Sequence, residues 1–156
     1  MIDFTVETEI ARTPADVFAY VTDPTKLATW QTNTVSVVAE DEEPLGLGTR
    51  LREVHRAPGG KQLASLVEVC GYELDRTFAL HMLEGALPID GRLTFEPVAE
   101  GTRVRFRVHG QPTGAVRSAQ PLLHRTLKRQ FAGHCATLKQ VLEDAGTEPS
   151  LADKRA

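Results

Sequence analysis

The sequence lacks the features that define several classes of protein. Two cysteines, Cys70 and Cys135, are too few for a disulfide framework, so both are expected to be reduced and mostly buried. Apolar runs are short, and the opening segment MIDFTVETEI alternates polar with apolar residues, unlike a signal peptide. These absences predict a cytoplasmic protein with no stable membrane insertion.

Positive charge is not in excess, and metal-binding and nucleotide-binding patterns are missing. Eighteen Lys and Arg stand against 21 Asp and Glu, for a formal net charge of -3, which does not favour nucleic acid as a partner. The histidines and cysteines lack the spacing of a zinc site, and Gly46-x-Gly48 lacks the third glycine of a dinucleotide loop. The sequence therefore predicts no metal, no cofactor and no nucleic acid.

The overall composition is that of one globular domain. The chain has 156 residues, of which 41% are hydrophobic and 25% charged. We expect a single domain over residues 1–145, closed by Gly146 as a helix cap, and a flexible tail over residues 146–156. The protein is expected to be a monomer or a homodimer.

Periodicity predicts a strand, two short helices and then a series of strands. Residues 2–10 alternate with period two, Thr13 and Pro14 open a helix, and a second short helix runs from Thr25 to about Trp30. Six more strands follow from Val35 onward, separated by Gly, Pro and acidic turns. Sequential hairpins imply an antiparallel meander, with the arginines of its last strand in water.

One long helix closes the domain between Ser118 and Ala145. Pro121 fits its first turn if Ser118 or Gln120 caps it. At about 100° per residue the apolar side chains share one arc, whereas Arg125, Arg129 and Lys139 face away. The members of the arc are Leu123, Leu127, Phe131, Leu138, Val141 and Leu142.

This order of elements predicts an α+β fold in which a strongly curved seven-stranded antiparallel sheet wraps a single carboxyl-terminal helix. Such a sheet offers more apolar surface than one helix can cover. Aromatic residues make up only 6% of the chain, so bulky fillers are few. We expect an apolar void between sheet and helix, which is the profile of a small-molecule site.

Four segments carry a resemblance to a known family. They are IARTPADVFAYVTDPTKLATW, LGLGTRLREV, GRLTFEPVAEGTRVRFRV and LKQVLED. Together these segments resemble the START-like superfamily, which includes polyketide cyclase/dehydrase-like proteins and plant proteins of the birch-pollen type. The resemblance covers about residues 1 to 144. It implies a helix-grip fold with a cavity for lipids, polyketides, sterols or hormones, and leaves the ligand open.

His134 falls in the middle of the apolar arc of the long helix, while His124 lies near the edge of that arc. A buried imidazole at position 134 must find a hydrogen-bond partner or remain uncharged. His134 is therefore either a satisfied core histidine or a contact to a ligand in the cavity.

A second polar pair comes from the strand over residues 49–56. Alternation sets three arginines on one side, so Leu51, Glu53 and His55 face inward by elimination. Glu53 and His55 would then lie about 6.6 to 6.8 Å apart along one face and could act as acid and base. The alternative is a structural pair at the cavity rim, with Glu53 bound across strands to an arginine.

The remaining candidates are apolar. Trp30 is either a core plug or an aromatic wall for a flat ligand. The other predicted wall or core residues are Phe78, Leu80, Met82, Leu93 and Phe95 from the strands, with Leu127 and Phe131 from the helix.

Three hypotheses for function follow. The first is binding of a hydrophobic small molecule such as a lipid, an isoprenoid or an aromatic polyketide. The second is an aromatase/cyclase-type enzyme with Glu53, His55 and His134 as proton carriers. The third is a protein-interaction module, which would need an exposed apolar patch.

Overall fold

A curved antiparallel sheet and a long carboxyl-terminal helix form the frame of the protein. The computed structural model describes residues 1–42, 44–57, 59–112 and 118–145. The expected cap Gly146 and the expected tail over residues 146–156 lie outside the described residues. Within them, the order of elements confirms the predicted helix-grip fold.

The strands are β1 Ile2–Ile10, β2 Thr34–Ala39, β3 Arg50–Arg56, β4 Gln62–Glu73, β5 Thr77–Glu84, β6 Ile89–Val98 and β7 Gly101–Gly110. The helices are α1 Pro14–Val21, α2 Leu27–Trp30 and α3 Gln120–Asp144, with a 3-10 turn Pro24–Lys26 before α2. The expected second short helix is thus a 3-10 turn that continues into one turn of α-helix.

The sheet order is β1-β7-β6-β5-β4-β3-β2, and every neighbouring pair is antiparallel. Strands β2 to β7 form the predicted meander. Strand β1 pairs with β7, so the first and last strands of the chain are neighbours in the sheet. Helix α3 packs closest to β1 and to α2.

Alternating burial in β1 and β7 separates the core from solvent. Side chains such as Phe4, Val104 and Phe106 are buried, and the arginines between them are partly or fully exposed. Each arginine of β7 pairs with an acid of β1: Arg103 with Glu9, Arg105 with Glu7 and Arg107 with Asp3. Exposed pairs of this kind add little stability, but they match only one register of the two strands.

Helix α1 begins as the sequence predicts. The Thr13 hydroxyl accepts a hydrogen bond from the Asp16 amide at 3.2 Å, and Pro14 occupies the first turn. Arg12 donates to Asp16 Oδ2 through Nε and Nη2, and its Nη1 donates to the Leu142 carbonyl at 2.9 Å. A nearly buried ion pair therefore ties α1 to the carboxyl-terminal end of α3.

Helix α3 departs from expectation at two points. Ala119 occupies its N-cap position without a side-chain hydrogen bond, so the expected cap by Ser118 or Gln120 is wrong. Lys139 does not face away, because Nζ donates to the Glu9 carbonyl and to Glu143 Oε2, both at 2.7 Å. None of the helices in the described ranges has the length and apolar character needed to cross a membrane.

The two cysteines differ in their surroundings. Cys135 on α3 is buried, and burial raises the pKa of its thiol to about 12, so it stays protonated and unreactive. Cys70 is exposed, contrary to the expectation. Alternation in β4 turns Cys70 outward, because its neighbour Val69 faces the core, and Cys70 lies at a register shift between Val69 and Gly71.

Replacing Arg12 by leucine should lower the free energy of unfolding by about 2–4 kcal/mol. The variant removes the ion pair to Asp16 and the hydrogen bond to the Leu142 carbonyl, both of which are shielded from water. Urea denaturation measures the change. Arg129→Leu on the exposed side of α3 is the control and should shift stability by less than about 0.5 kcal/mol. Equal effects of the two substitutions would contradict this role of Arg12.

Candidate functional site

A cavity of about 330 Å³ lies between the concave face of the sheet and α3. Its walls are mainly apolar and come from β4, the β5–β6 hairpin and the helix. The apolar lining residues are Leu63, Ala64, Met82, Ala86, Leu87, Ile89, Leu123, Leu127 and Phe131. This volume lies at the lower end of the range for small-molecule sites and suits a compact ligand.

Strands β5 and β6 separate at the end of the sheet that lines the cavity. Their backbone pairing runs only from Thr77 opposite Thr94 to Leu80 opposite Gly91. Beyond that point the side chain of Asp90 in β6 links the two strands. Its Oδ1 accepts hydrogen bonds from the Met82 amide at 3.1 Å and from His81 Nδ1 at 2.9 Å. The hairpin tip between the two strands contributes Ala86 and Leu87 to the cavity wall.

A smaller lobe of about 100 Å³ continues toward the sheet. It shares its boundary with the main cavity through Gln31, His55, Met82, Ile89 and Phe131. The rest of its lining consists of Glu53, Val67, Leu80, Asp90, Gly91, Phe106 and Val108. The apolar space therefore meets a group of polar side chains on its inner side.

Glu53 and His55 are joined in this smaller lobe. Both face inward, as the alternation of β3 predicts, and His55 Nε2 lies 2.9 Å from Glu53 Oε2. Glu53 is only 7% exposed, so its carboxylate depends on this partner. The alternative prediction, in which Glu53 pairs with an arginine of a neighbouring strand, is not observed among the described residues.

Thr34, the first residue of β2, holds the other side of the His55 ring. Thr34 Oγ1 lies 3.2 Å from His55 Nδ1 and donates to Gln31 Oε1 at 3.4 Å. Both ring nitrogens of His55 therefore have a hydrogen-bond partner, Glu53 on one side and Thr34 on the other.

His134 is the second imidazole at the cavity. It is 4% exposed and lies edge-on to the rings of Phe131 at 5.3 Å and Trp30 at 6.5 Å. No hydrogen bond joins its ring to another residue in the described part of the chain. Burial, and secondarily the positive charge of nearby His55, lowers the pKa of His134 to about 4. His134 is therefore neutral at pH 7, with one nitrogen able to donate and the other able to accept.

Seven of the predicted site residues line the two lobes of the cavity. They are Glu53, His55, Leu80, Met82, Leu127, Phe131 and His134. The sheet parity of β3 and the apolar arc of α3 bring the polar members together, although they are about eighty residues apart in the chain.

Four predicted site residues do not line these lobes and belong to the core. Trp30 is fully buried behind His134 and Phe106, so it is a core plug and not a ligand wall. Leu51 is fully buried on β3. Phe78 and Phe95 do face inward, but they lie at the other end of the sheet, where Phe18 of α1 and Tyr72 pack against them.

Sequence reasoning missed most of the polar residues contributed by loops and by the sheet edge. Gln31 and Asn33 flank the end of α2 and line the cavity, and Thr34 orients His55. The pairing of Thr34 with His55 depends on an irregularity between Thr34 and Ser36, which no alternation pattern reveals. The sequence signal for these residues is only that they are polar and lie between a short helix and a strand.

Solved structures share this architecture at low sequence identity. TTHA0849 from Thermus thermophilus is 22% identical, with a TM-score of 0.78 over 92% of this chain and 98% of that one. The di-domain ARO/CYC StfQ from the steffimycin biosynthetic pathway is 17% identical, with a TM-score of 0.74 over 94% of this chain and 52% of StfQ. Ara h 8.0201 is 15% identical, with a TM-score of 0.67 over 90% of this chain and 96% of that one. These similarities show the fold.

The fold and the cavity define a helix-grip protein of the START-like class. Residues 1–143 match the family model described as polyketide cyclase / dehydrase and lipid transport, and the chain belongs to that family. No curated protein matches the sequence significantly.

Stability between pH 6.5 and pH 4 should depend on His134. Its pKa of about 4 in the folded protein lies below the ordinary value of 6.5, so the unfolded chain binds the additional proton between these values. The free energy of unfolding therefore contains a contribution from neutral, buried His134 that is fully present above pH 6.5. As the pH falls toward 4, this contribution decreases by up to about 3 kcal/mol.

Urea denaturation at pH 7 and pH 4.5 tests this dependence. His134→Leu should lose less stability on acidification than the wild type, whereas His124→Leu, at a half-buried position on the same helix, should keep the wild-type pH dependence. An unchanged pH dependence in His134→Leu would contradict the burial of a neutral imidazole.

Proposed function

We propose that the protein binds a hydrophobic small molecule in the cavity between the sheet and α3. The observation that carries this proposal is an apolar cavity of about 330 Å³ that opens to the outside and continues into a smaller, mainly apolar lobe with a few polar side chains. Burial of the apolar part of a ligand would supply most of the binding free energy. Gln31, His55 and His134 would fix the orientation of its polar group.

The family and the neighbours support this proposal. The family description names lipid transport as well as polyketide chemistry. The cavity volume favours a compact isoprenoid or aromatic ligand over a lipid with two long acyl chains. An interaction module is less well supported, because the exposed large apolar side chains lie on separate elements, apart from Val35 and Val38, which share β2. In the described part of the chain they are Met1, Val35, Val38, Leu47, Leu74, Leu83 and Leu122.

Filling the cavity should weaken binding. Leu123 lines the main lobe, whereas the adjacent Leu122 is 67% exposed and outside it. Leu123→Trp should raise the Kd for the neutral fluorescent probe N-phenyl-1-naphthylamine about tenfold, because the indole takes up ligand volume. Leu122→Trp is the matched control and should leave the Kd unchanged. Binding that responds equally to both substitutions, or no binding to the wild type, would contradict the proposal.

A second candidate function is proton transfer in polyketide cyclisation. The observation that favours it is the Glu53–His55 pair at 2.9 Å beside the neutral His134, all within the same cavity. A neutral imidazole could remove a proton from a carbon between two carbonyls. The resulting enolate carbon would attack a second carbonyl of the chain, and the His55 ring could donate the proton that the new alkoxide takes up.

Turnover of a linear poly-β-ketone thioester tests the second candidate. If the protein catalyses the cyclisation, Glu53→Gln should lower the rate by about 10²–10⁴. Its affinity for a neutral ligand should change by less than about threefold. Glu68→Gln removes a carboxylate outside the cavity and should retain the full rate. Cyclisation at the same rate with and without the wild-type protein would rule out catalysis of this reaction.

A further inference from the structure

The charges around the cavity are unevenly arranged. The inner lobe contains the carboxylates of Glu53 and Asp90. Glu53 is already paired with His55 at 2.9 Å. Asp90 accepts from the Met82 amide and is already paired with His81 at 2.9 Å and with His109 at 3.8 Å. Arg56 is at the outer boundary of the main lobe, where its side chain is exposed to water.

We propose that the cavity selects a hydrophobic molecule that carries an uncharged hydroxyl group, and that it rejects a carboxylate built on the same apolar body. This inference rests on the proposed function, since it specifies the chemistry of the ligand that the cavity accepts. It rests on the positions of Glu53, His55 and Asp90, and on the ring nitrogens of His134, which have no hydrogen-bond partner in the described part of the chain.

His134 supplies the attractive part of the selection. Its ring is buried at the cavity wall and makes no hydrogen bond within the described ranges, so its nitrogens can serve a ligand. A neutral imidazole offers one donor and one acceptor. A hydroxyl group also donates and accepts, and is therefore complementary to His134. An apolar ligand would leave these nitrogens buried without a partner, which is unfavourable.

Glu53 and Asp90 supply the repulsive part. A carboxylate that enters the inner lobe would lose part of its hydration and approach the buried carboxylate of Glu53, with the 31% exposed carboxylate of Asp90 as a weaker second charge. His55 offers it little compensation, because Glu53 and Thr34 already occupy its two ring nitrogens. Arg56 is a weak counter-charge at this depth, since its exposed guanidinium is screened by water. A hydroxyl group incurs neither of these costs.

Three ligands with the same naphthalene body separate the two effects. They are 2-methylnaphthalene, 2-naphthol and 2-naphthoate, with their Kd values measured by calorimetry at pH 7. At this pH a phenolic hydroxyl is uncharged and a carboxylate is ionised. We expect 2-naphthol to bind roughly three- to tenfold more tightly than 2-methylnaphthalene. We expect 2-naphthoate to bind at least about tenfold more weakly than 2-naphthol.

Two variants test the assigned residues. His134→Phe should abolish the preference for 2-naphthol over 2-methylnaphthalene. The matched control His124→Phe should keep that preference, because His124 instead contacts the Asp3 carbonyl and the Phe4 ring. Glu53→Gln should tighten the binding of 2-naphthoate about tenfold while changing that of 2-naphthol less than threefold, because it removes one repelling charge.

The outcomes distinguish this inference from the proposed function. If 2-methylnaphthalene binds and 2-naphthoate binds as tightly as 2-naphthol, the charge selection is wrong while hydrophobic binding stands. If 2-methylnaphthalene and 2-naphthol bind equally, the role of His134 is wrong. If none of the three binds, the proposed function fails and this inference fails with it. The wild-type measurements decide these points even where a variant does not fold.

Discussion

The structure depends on a mismatch between a wide concave sheet and the single long helix that covers it. Helix α3 packs closest to β1, at one edge of the seven-stranded sheet, and to α2. Helix α1 covers the far end, where Phe18 meets Phe95. The part of the inward face of β3 to β6 that lies between these two covered regions is left as the wall of a cavity. The space is therefore a consequence of topology, and its chemistry is set by the few polar side chains that face it.

Those side chains owe their properties to burial. A carboxylate such as Glu53 is stable in an apolar setting only with a partner, and His55 is that partner. His134 has no such partner in the described part of the chain, so burial keeps it uncharged. The two imidazoles in one cavity thus differ in their partners: the ring of His55 is held at both nitrogens, and that of His134 is held at neither within the described residues. Similar folds below 25% identity do not reveal this difference, which belongs to the residues of this chain.

Much of this arrangement could be predicted from the sequence, because two periodicities determine it. The 3.6-residue period of α3 places His134 on the buried arc, and the two-residue period of β3 turns Glu53 and His55 inward. The two-residue period fails where the ladder is irregular, since the irregularity in β2 sets Thr34 against His55. Alternation shows which side chains face inward, but not at which end of a strand the cavity lies. It therefore predicts Phe78 and Phe95 at the cavity, although they lie at the end of the sheet where Phe18 of α1 and Tyr72 pack.

The early separation of β5 and β6 has a consequence for how a guest molecule enters and leaves. Past Leu80 and Gly91 these strands share no ladder of main-chain hydrogen bonds, and the carboxylate of Asp90 links them instead. A ligand of the proposed kind that passed between these strands would need only the rotation of partly exposed side chains, with no main-chain hydrogen bonds to break. Substitutions at this edge would then change the rate of ligand exchange more than the stability of the core.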